Sequence, residues 1–190
     1  TLTWCTSCGT VVSATIRGAP SATTVPSTTL VLSNDGAAST DGAVSLTGVT
    51  LTGGNVTGFG VGDGGGGISN AEALTVTNST ISGNSAASFG GGIVNTSGTT
   101  SVTNSTVSGN VASFPVGIGN SLSSFGGGIV NTSGTTSVTN STVSGNEASG
   151  GGGISNTATT SVTNSTVSGN SGAGIVNTFF ATTSLINSTV

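Results

Sequence analysis

Histidine, methionine and tyrosine are absent from this 190-residue chain, and just one side chain is basic and five are acidic. They are Arg17, Asp35, Asp41, Asp63, Glu72 and Glu147. An ordinary domain carries about a quarter charged residues. A single cation leaves no basic footprint for nucleic acid, whose phosphates call for clustered Lys and Arg. Without His or Tyr the usual acid–base donors are missing. Glycoside hydrolysis needs two carboxylates across one bond, and only Asp35 and Asp41 are close in sequence. Arg17, standing alone, is a poor base for a lyase. The expectation is a protein that is not an enzyme and has no cofactor and no metal. No apolar run is long enough to cross a bilayer as a helix.

Cysteine is scarce too: Cys5 and Cys8 are the only two. No further Cys and no His complete a zinc site, and nothing nearby reads as a thioredoxin βαβ unit. A local disulfide stapling the N-terminal segment is the first reading. Intermolecular pairing or covalent attachment are the alternatives. The chain starts at Thr1 rather than Met, so an upstream segment is expected to have been removed. The location expected is extracellular or cell-surface.

What the chain has in excess is glycine, 34 residues, and repetition. FGGGIVNTSGTTSVTNSTVSGN fills residues 89–110 and again 125–146 without a change. Looser copies start at Gly66, Gly152 and Gly174. A unit this short cannot bury its own apolar face and becomes stable by stacking on its copies. Gly/Ser/Thr-rich sequence otherwise suggests disorder. Disordered segments lack Val and Ile at regular positions, and here they recur in register.

Within one copy, Ile93 and Asn95 are two apart and share a strand face, as do Val102 with Asn104 and Ser105 with Val107. The change of parity between Asn104 and Ser105 requires a bend. Three short strands result, GIVN, SVTN and STVSGN, which predicts an all-β, three-sided parallel β-helix (β-solenoid) of about 21–25 residues per coil. Three inward columns follow. The first is Ile68, Ile93, Ile129, Ile154 and Ile175. The second is Val76, Val102, Val138, Val162 and Leu185. The third is Ile81, Val107, Val143 and Val167, ending at Val190. β-Branched side chains suit such positions.

Asparagine recurs at two bends: Asn78, Asn104, Asn140, Asn164 and Asn187 at one, and Asn70, Asn95, Asn131, Asn156 and Asn177 at the other. An amide both donates and accepts, so both sets are expected to form inward ladders. The first set also heads Asn-Ser-Thr, the N-glycosylation pattern, and Asn55-Val-Thr adds another. If those asparagines point inward they cannot carry a sugar. Outward Ser and Thr are then the better glycan candidates.

The step from Ile93 to Ile129 is 36 residues, against 25 from Ile68 to Ile93 and from Ile129 to Ile154. The surplus places a loop insertion at a corner over residues 115–125, with Phe89, Phe114 and Phe125 covering that corner. Upstream, residues 45–55 align with 101–110, with Leu46 and Leu51 in core positions. Residues 28–33 and 10–16 look like degenerate strands, and 20–26 like a break. The chain therefore divides into an N-terminal segment, 1–26, and a solenoid, 27–190. Residues 60–67 faintly resemble a calcium-binding glycine-rich repeat. With Asp63 as their only acid, a corner loop is the better reading.

Outward pairs recur as well: Thr75/Thr77, Ser101/Thr103, Ser137/Thr139 and Ser161/Thr163. A flat Thr array resembles ice-binding β-solenoids. The plainer account is that Thr suits a solvent-facing strand. Together, GGGIxN and SVTNSTVSGN resemble the repeats of bacterial secreted right-handed parallel β-helix proteins, of the polymorphic outer-membrane protein type and related adhesin-like surface proteins. The resemblance covers residues 43–190. It implies a right-handed coil and a surface or secreted setting, and says little about activity.

The sequence stops inside a third-side strand with no polar cap, so either a longer protein continues it or a neighbouring subunit covers it. The expected function is a secreted structural protein, the subunit of an extracellular fibre. It would assemble as a homopolymer by head-to-tail stacking or strand addition, with Leu2, Trp4, Leu185 and Val190 at the assembly ends. An adhesin or surface-stalk fragment is the alternative, and ice binding the second alternative.

Overall fold

The structure, a computed structural model, describes residues 32–34, 43–57, 65–87, 89–113 and 126–190. Over these the chain is all-β, a parallel β-solenoid of about five turns, with no helix among the described residues. Each turn passes through three sheets, of nine, six and five strands.

The first side stacks Leu32–Asn34, Ile68–Asn70, Ile93–Asn95 and Ile129–Asn131, then continues into Glu147–Asn156 and Ser171–Asn177. Its register sets Ile68, Ile93, Ile129, Ile154 and Ile175 on one another. The second side stacks Ala43–Thr47, Ala73–Thr77, Thr99–Thr103, Thr135–Thr139, Thr159–Thr163 and Thr182–Ile186. Its inward column is Leu46, Val76, Val102, Val138, Val162 and Leu185. The third side stacks Thr50–Thr52, Thr80–Ser82, Thr106–Ser108, Thr142–Ser144 and Thr166–Ser168, with Leu51, Ile81, Val107, Val143 and Val167 inward.

These columns form one apolar core, and the Ile and Val side chains of the central coils are fully buried. Each such residue contributes about 1.5–3 kcal/mol through burial. The last rung differs. Leu185 stays 51% exposed and Val190 58%, although Leu185 continues the Val162 column. Ile175 is half-buried.

One element was not apparent from the repeat. After the third side a short strand, Asn55–Val56, Ser85–Ala86 or Val111–Ala112, joins the sheet of the first side. In the coil at Glu147–Asn156 the short strand and the next first-side strand merge into one. The glycines before IVN therefore lie along a side instead of rounding a corner. Residues 115–125, read as a corner loop, lie outside the described residues together with Phe114. Their described flanks, Val111–Ala112 and Ile129–Asn131, belong to one sheet. Also outside lie Leu2, Trp4, Cys5, Cys8, Arg17, Asp35, Asp41 and Asp63, along with the segments 1–26 and 60–64. The strand expected over 28–33 falls within the described residues only from Leu32 on.

The glycines on this side are required by how closely the coils approach. A Cβ on Gly128 would sit 2.6 Å from the Gly153 carbonyl oxygen and 2.9 Å from Asn146 Nδ2. Gly128→Ala is expected to lower stability by about 1–3 kcal/mol, the usual range for overpacking. Urea denaturation of the two proteins checks this. An unchanged midpoint would mean that the coils have room to separate.

Candidate functional site

No cleft gathers titratable side chains among the described residues, where Glu72 and Glu147 are the only charged groups. Chemistry that repeats is found instead at the three corners and on the outward faces.

The corner between the first and second sides holds the ladder of Asn70, Asn95, Asn131, Asn156 and Asn177. Each Nδ2 donates to the Oδ1 of the next coil, at 2.9, 2.9, 3.0 and 3.0 Å in order. The amides also serve the backbone where it turns: Asn131 Nδ2 donates to the Thr159 carbonyl at 2.8 Å. Asn70, Asn95, Asn131 and Asn156 are buried. Beside them runs a buried column of Thr100, Thr136 and Thr160, which the sequence reading passed over. Asn70 Nδ2 donates to Thr100 Oγ1 at 3.0 Å and Asn156 Nδ2 to Thr183 Oγ1 at 3.1 Å.

The corner between the second and third sides overturns one expectation. Asn78, Asn104, Asn140, Asn164 and Asn187 form no inward ladder. All five are exposed, with φ between 48° and 50°. Alternation along a strand would turn Asn104 to the same side as Val102. A left-handed residue leaves that alternation, and Asn adopts this conformation more readily than most residues. The inward position passes to the serine that follows. Ser105 Oγ donates to the Thr103 carbonyl at 2.8 Å and accepts from the Ser79 backbone N–H at 3.1 Å. Ser79, Ser141, Ser165 and Ser188 repeat the arrangement.

At the third corner a left-handed glycine, as at Gly109 and Gly145, precedes a ladder that the sequence reading missed. It runs Asn84, Asn110, Asn146 and Asn170, and each Nδ2 donates to the next Oδ1 at 2.9–3.0 Å. The backbone N–H of Asn84, Asn110 and Asn146 donates to the same oxygen of the next coil, at 3.0 Å. The recurring Gly-Asn that ends each STVSGN strand is the signal of this ladder in the sequence.

Outside, the second side carries three hydroxyl-rich columns. The pairs Thr75/Thr77, Ser101/Thr103, Ser137/Thr139 and Ser161/Thr163 lie in register, and a further column runs Thr99, Thr135, Thr159 and Thr182. Ala43 and Ala73 interrupt the last of these, and Ile186 stands where Thr163 stands one coil earlier. No protein-family model matches the chain, and no curated protein or solved structure matches it.

Proposed function

We propose that this is a secreted structural protein that builds an extracellular fibre by stacking solenoids head to tail, with the resemblance to bacterial surface β-helix repeats pointing the same way. Its action is mechanical and includes no catalytic step. The observation that carries this reading is register. Coil matches coil residue for residue through Val102↔Val138↔Val162↔Leu185, so the edge of Thr182–Ile186 presents the same pattern to any coil placed on it. The half-exposed Leu185 and Ile186 lie on that strand. An edge strand with unpaired backbone groups is a template for another chain. Near-absence of charge supports the reading, because copies approach with little repulsion.

The second reading, an adhesin or surface stalk, rests on the same edge, with a further coil of one longer chain in place of a second copy. Ice binding would fall to the hydroxyl face of the second side, whose columns Ala73 and Ile186 interrupt. Negative-stain electron microscopy of the purified chain at neutral pH separates the readings. Uniform filaments with an axial repeat close to one solenoid length are expected. Dispersed short rods at every concentration would overturn the fibre and leave the stalk.

A further inference from the structure

We infer that the corner column of Asn78, Asn104, Asn140, Asn164 and Asn187 is a site of asparagine-linked glycosylation. Each of the five heads an Asn-Ser-Thr triplet, is exposed, and makes no side-chain hydrogen bond among the described residues. Burial is what would forbid a sugar here, and these amides are not buried.

Left-handed geometry alone does not account for asparagine at this corner. In the first described coil Gly48 occupies the equivalent place, with φ 66°. Its backbone N–H donates to the Thr77 carbonyl at 3.1 Å, as that of Asn78 donates to the Thr103 carbonyl at 3.1 Å. The corner after the third side uses glycine at Gly83, Gly109, Gly145 and Gly169. Where this chain places a left-handed asparagine, the acceptor triplet is complete every time.

The chain also contains its own contrast. Asn95-Thr-Ser and Asn131-Thr-Ser satisfy the same pattern. Both asparagines are fully buried, and their amides are committed to the ladder. A sugar on either would remove a ladder donor and force the coils apart. Folded protein should therefore carry sugar at the corner column and none at these two.

In the transfer, the Asn Nδ2 attacks C1 of a sugar held on a lipid pyrophosphate. The C1–N bond forms and the C1–O bond to the pyrophosphate breaks. The lipid pyrophosphate leaves with the bonding pair, and the amide proton passes to a base of the transferase. Neighbouring corners lie about 4.8 Å apart, the spacing of adjacent strands. A sugar on one crowds the next, so a molecule carries fewer glycans than it has triplets. Glycans would supply the hydration that an almost uncharged surface lacks.

This inference rests on the secreted part of the proposed function and is independent of fibre assembly. The test is peptide mapping of the protein purified from its own cells and medium, before and after enzymatic removal of N-glycans, which marks each former site by conversion of Asn to Asp. Marks are expected at one or more of the five corner positions and at neither Asn95 nor Asn131. Extracellular protein unmodified at all five, or marked at Asn95 or Asn131, overturns the inference and leaves secretion standing. Protein found only inside the cell and unmodified overturns both. Asn104→Gly and Thr106→Ala should each remove the glycan at position 104 while keeping the parent β-sheet circular dichroism. A glycan at 104 that persisted in Thr106→Ala would mean the triplet is not what is recognised.

Discussion

Val138→Asp is expected to abolish folding of the solenoid. Val138 is fully buried, with Val102 and Val162 as its rung neighbours in a core made of Leu, Ile and Val. A carboxylate there has no basic side chain to pair with among the described residues, and the whole chain has just one, Arg17. Even in its neutral form, an unpaired buried hydroxyl costs about 2–7 kcal/mol. The lost valine burial adds about 1.5–3 kcal/mol. Together these approach the entire stability of a typical domain, about 5–15 kcal/mol. Far-UV circular dichroism and limited proteolysis report the outcome. A Val138→Asp protein with the parent's β-signal and protease resistance would show that this column does not face inward.

Asn131→Ala should cost far more than Asn140→Ala, although the two asparagines sit nine positions apart in the same repeat. Asn131 accepts from Asn95 Nδ2 at 2.9 Å and donates to Asn156 Oδ1 at 3.0 Å and to the Thr159 carbonyl at 2.8 Å. Truncation removes all three bonds: Asn95 Nδ2 keeps only longer contacts to the Ser133 and Thr135 carbonyls, Asn156 Oδ1 keeps only the Ala158 N–H, and the Thr159 carbonyl loses its amide donor, at about 1–3 kcal/mol for each lost bond. A loss of about 3 kcal/mol or more is expected. Asn140 is exposed and makes no side-chain hydrogen bond among the described residues. Replacing it imposes only the strain of a left-handed alanine, about 1–2 kcal/mol. Urea denaturation midpoints give both values. Equal losses would contradict the assignment of one asparagine to the interior and the other to the outer corner.

The apolar columns are legible because identical residues recur at the same place in each repeat, as Val102, Val138 and Val162 do within SVTN. The parity of Val102 and Val107 also required a bend at Asn104 or Ser105. What parity could not tell is which of the two residues makes the bend. If Asn104 were extended it would point inward; because its φ is 49°, the serine after it takes the interior position. The same ambiguity hid the Asn110 ladder, since Gly109-Asn110 reads equally as a turn and as a left-handed glycine followed by an inward amide. Thr100 was passed over because Thr is usually an outward strand residue; here it lies beside the asparagine ladder and accepts from Asn70. Function was far less legible than fold, because the repeat specifies how coil meets coil and those demands occupy nearly every position.

The two asparagine ladders share a direction. Asn70 donates to Asn95, Asn95 to Asn131, Asn131 to Asn156 and Asn156 to Asn177. At the third corner Asn84 donates to Asn110, Asn110 to Asn146 and Asn146 to Asn170, again toward the later coil. No rung reverses the order, so the rod is vectorial. Each rung turns its amide hydrogens toward the later coil, the leading face, and its amide oxygen toward the earlier coil, the trailing face. Two leading faces brought together would set donor against donor. Any coil that extends the ladders, whether from the same chain or another copy, must arrive with its trailing face first. A fibre assembled through these ladders would have unlike tips.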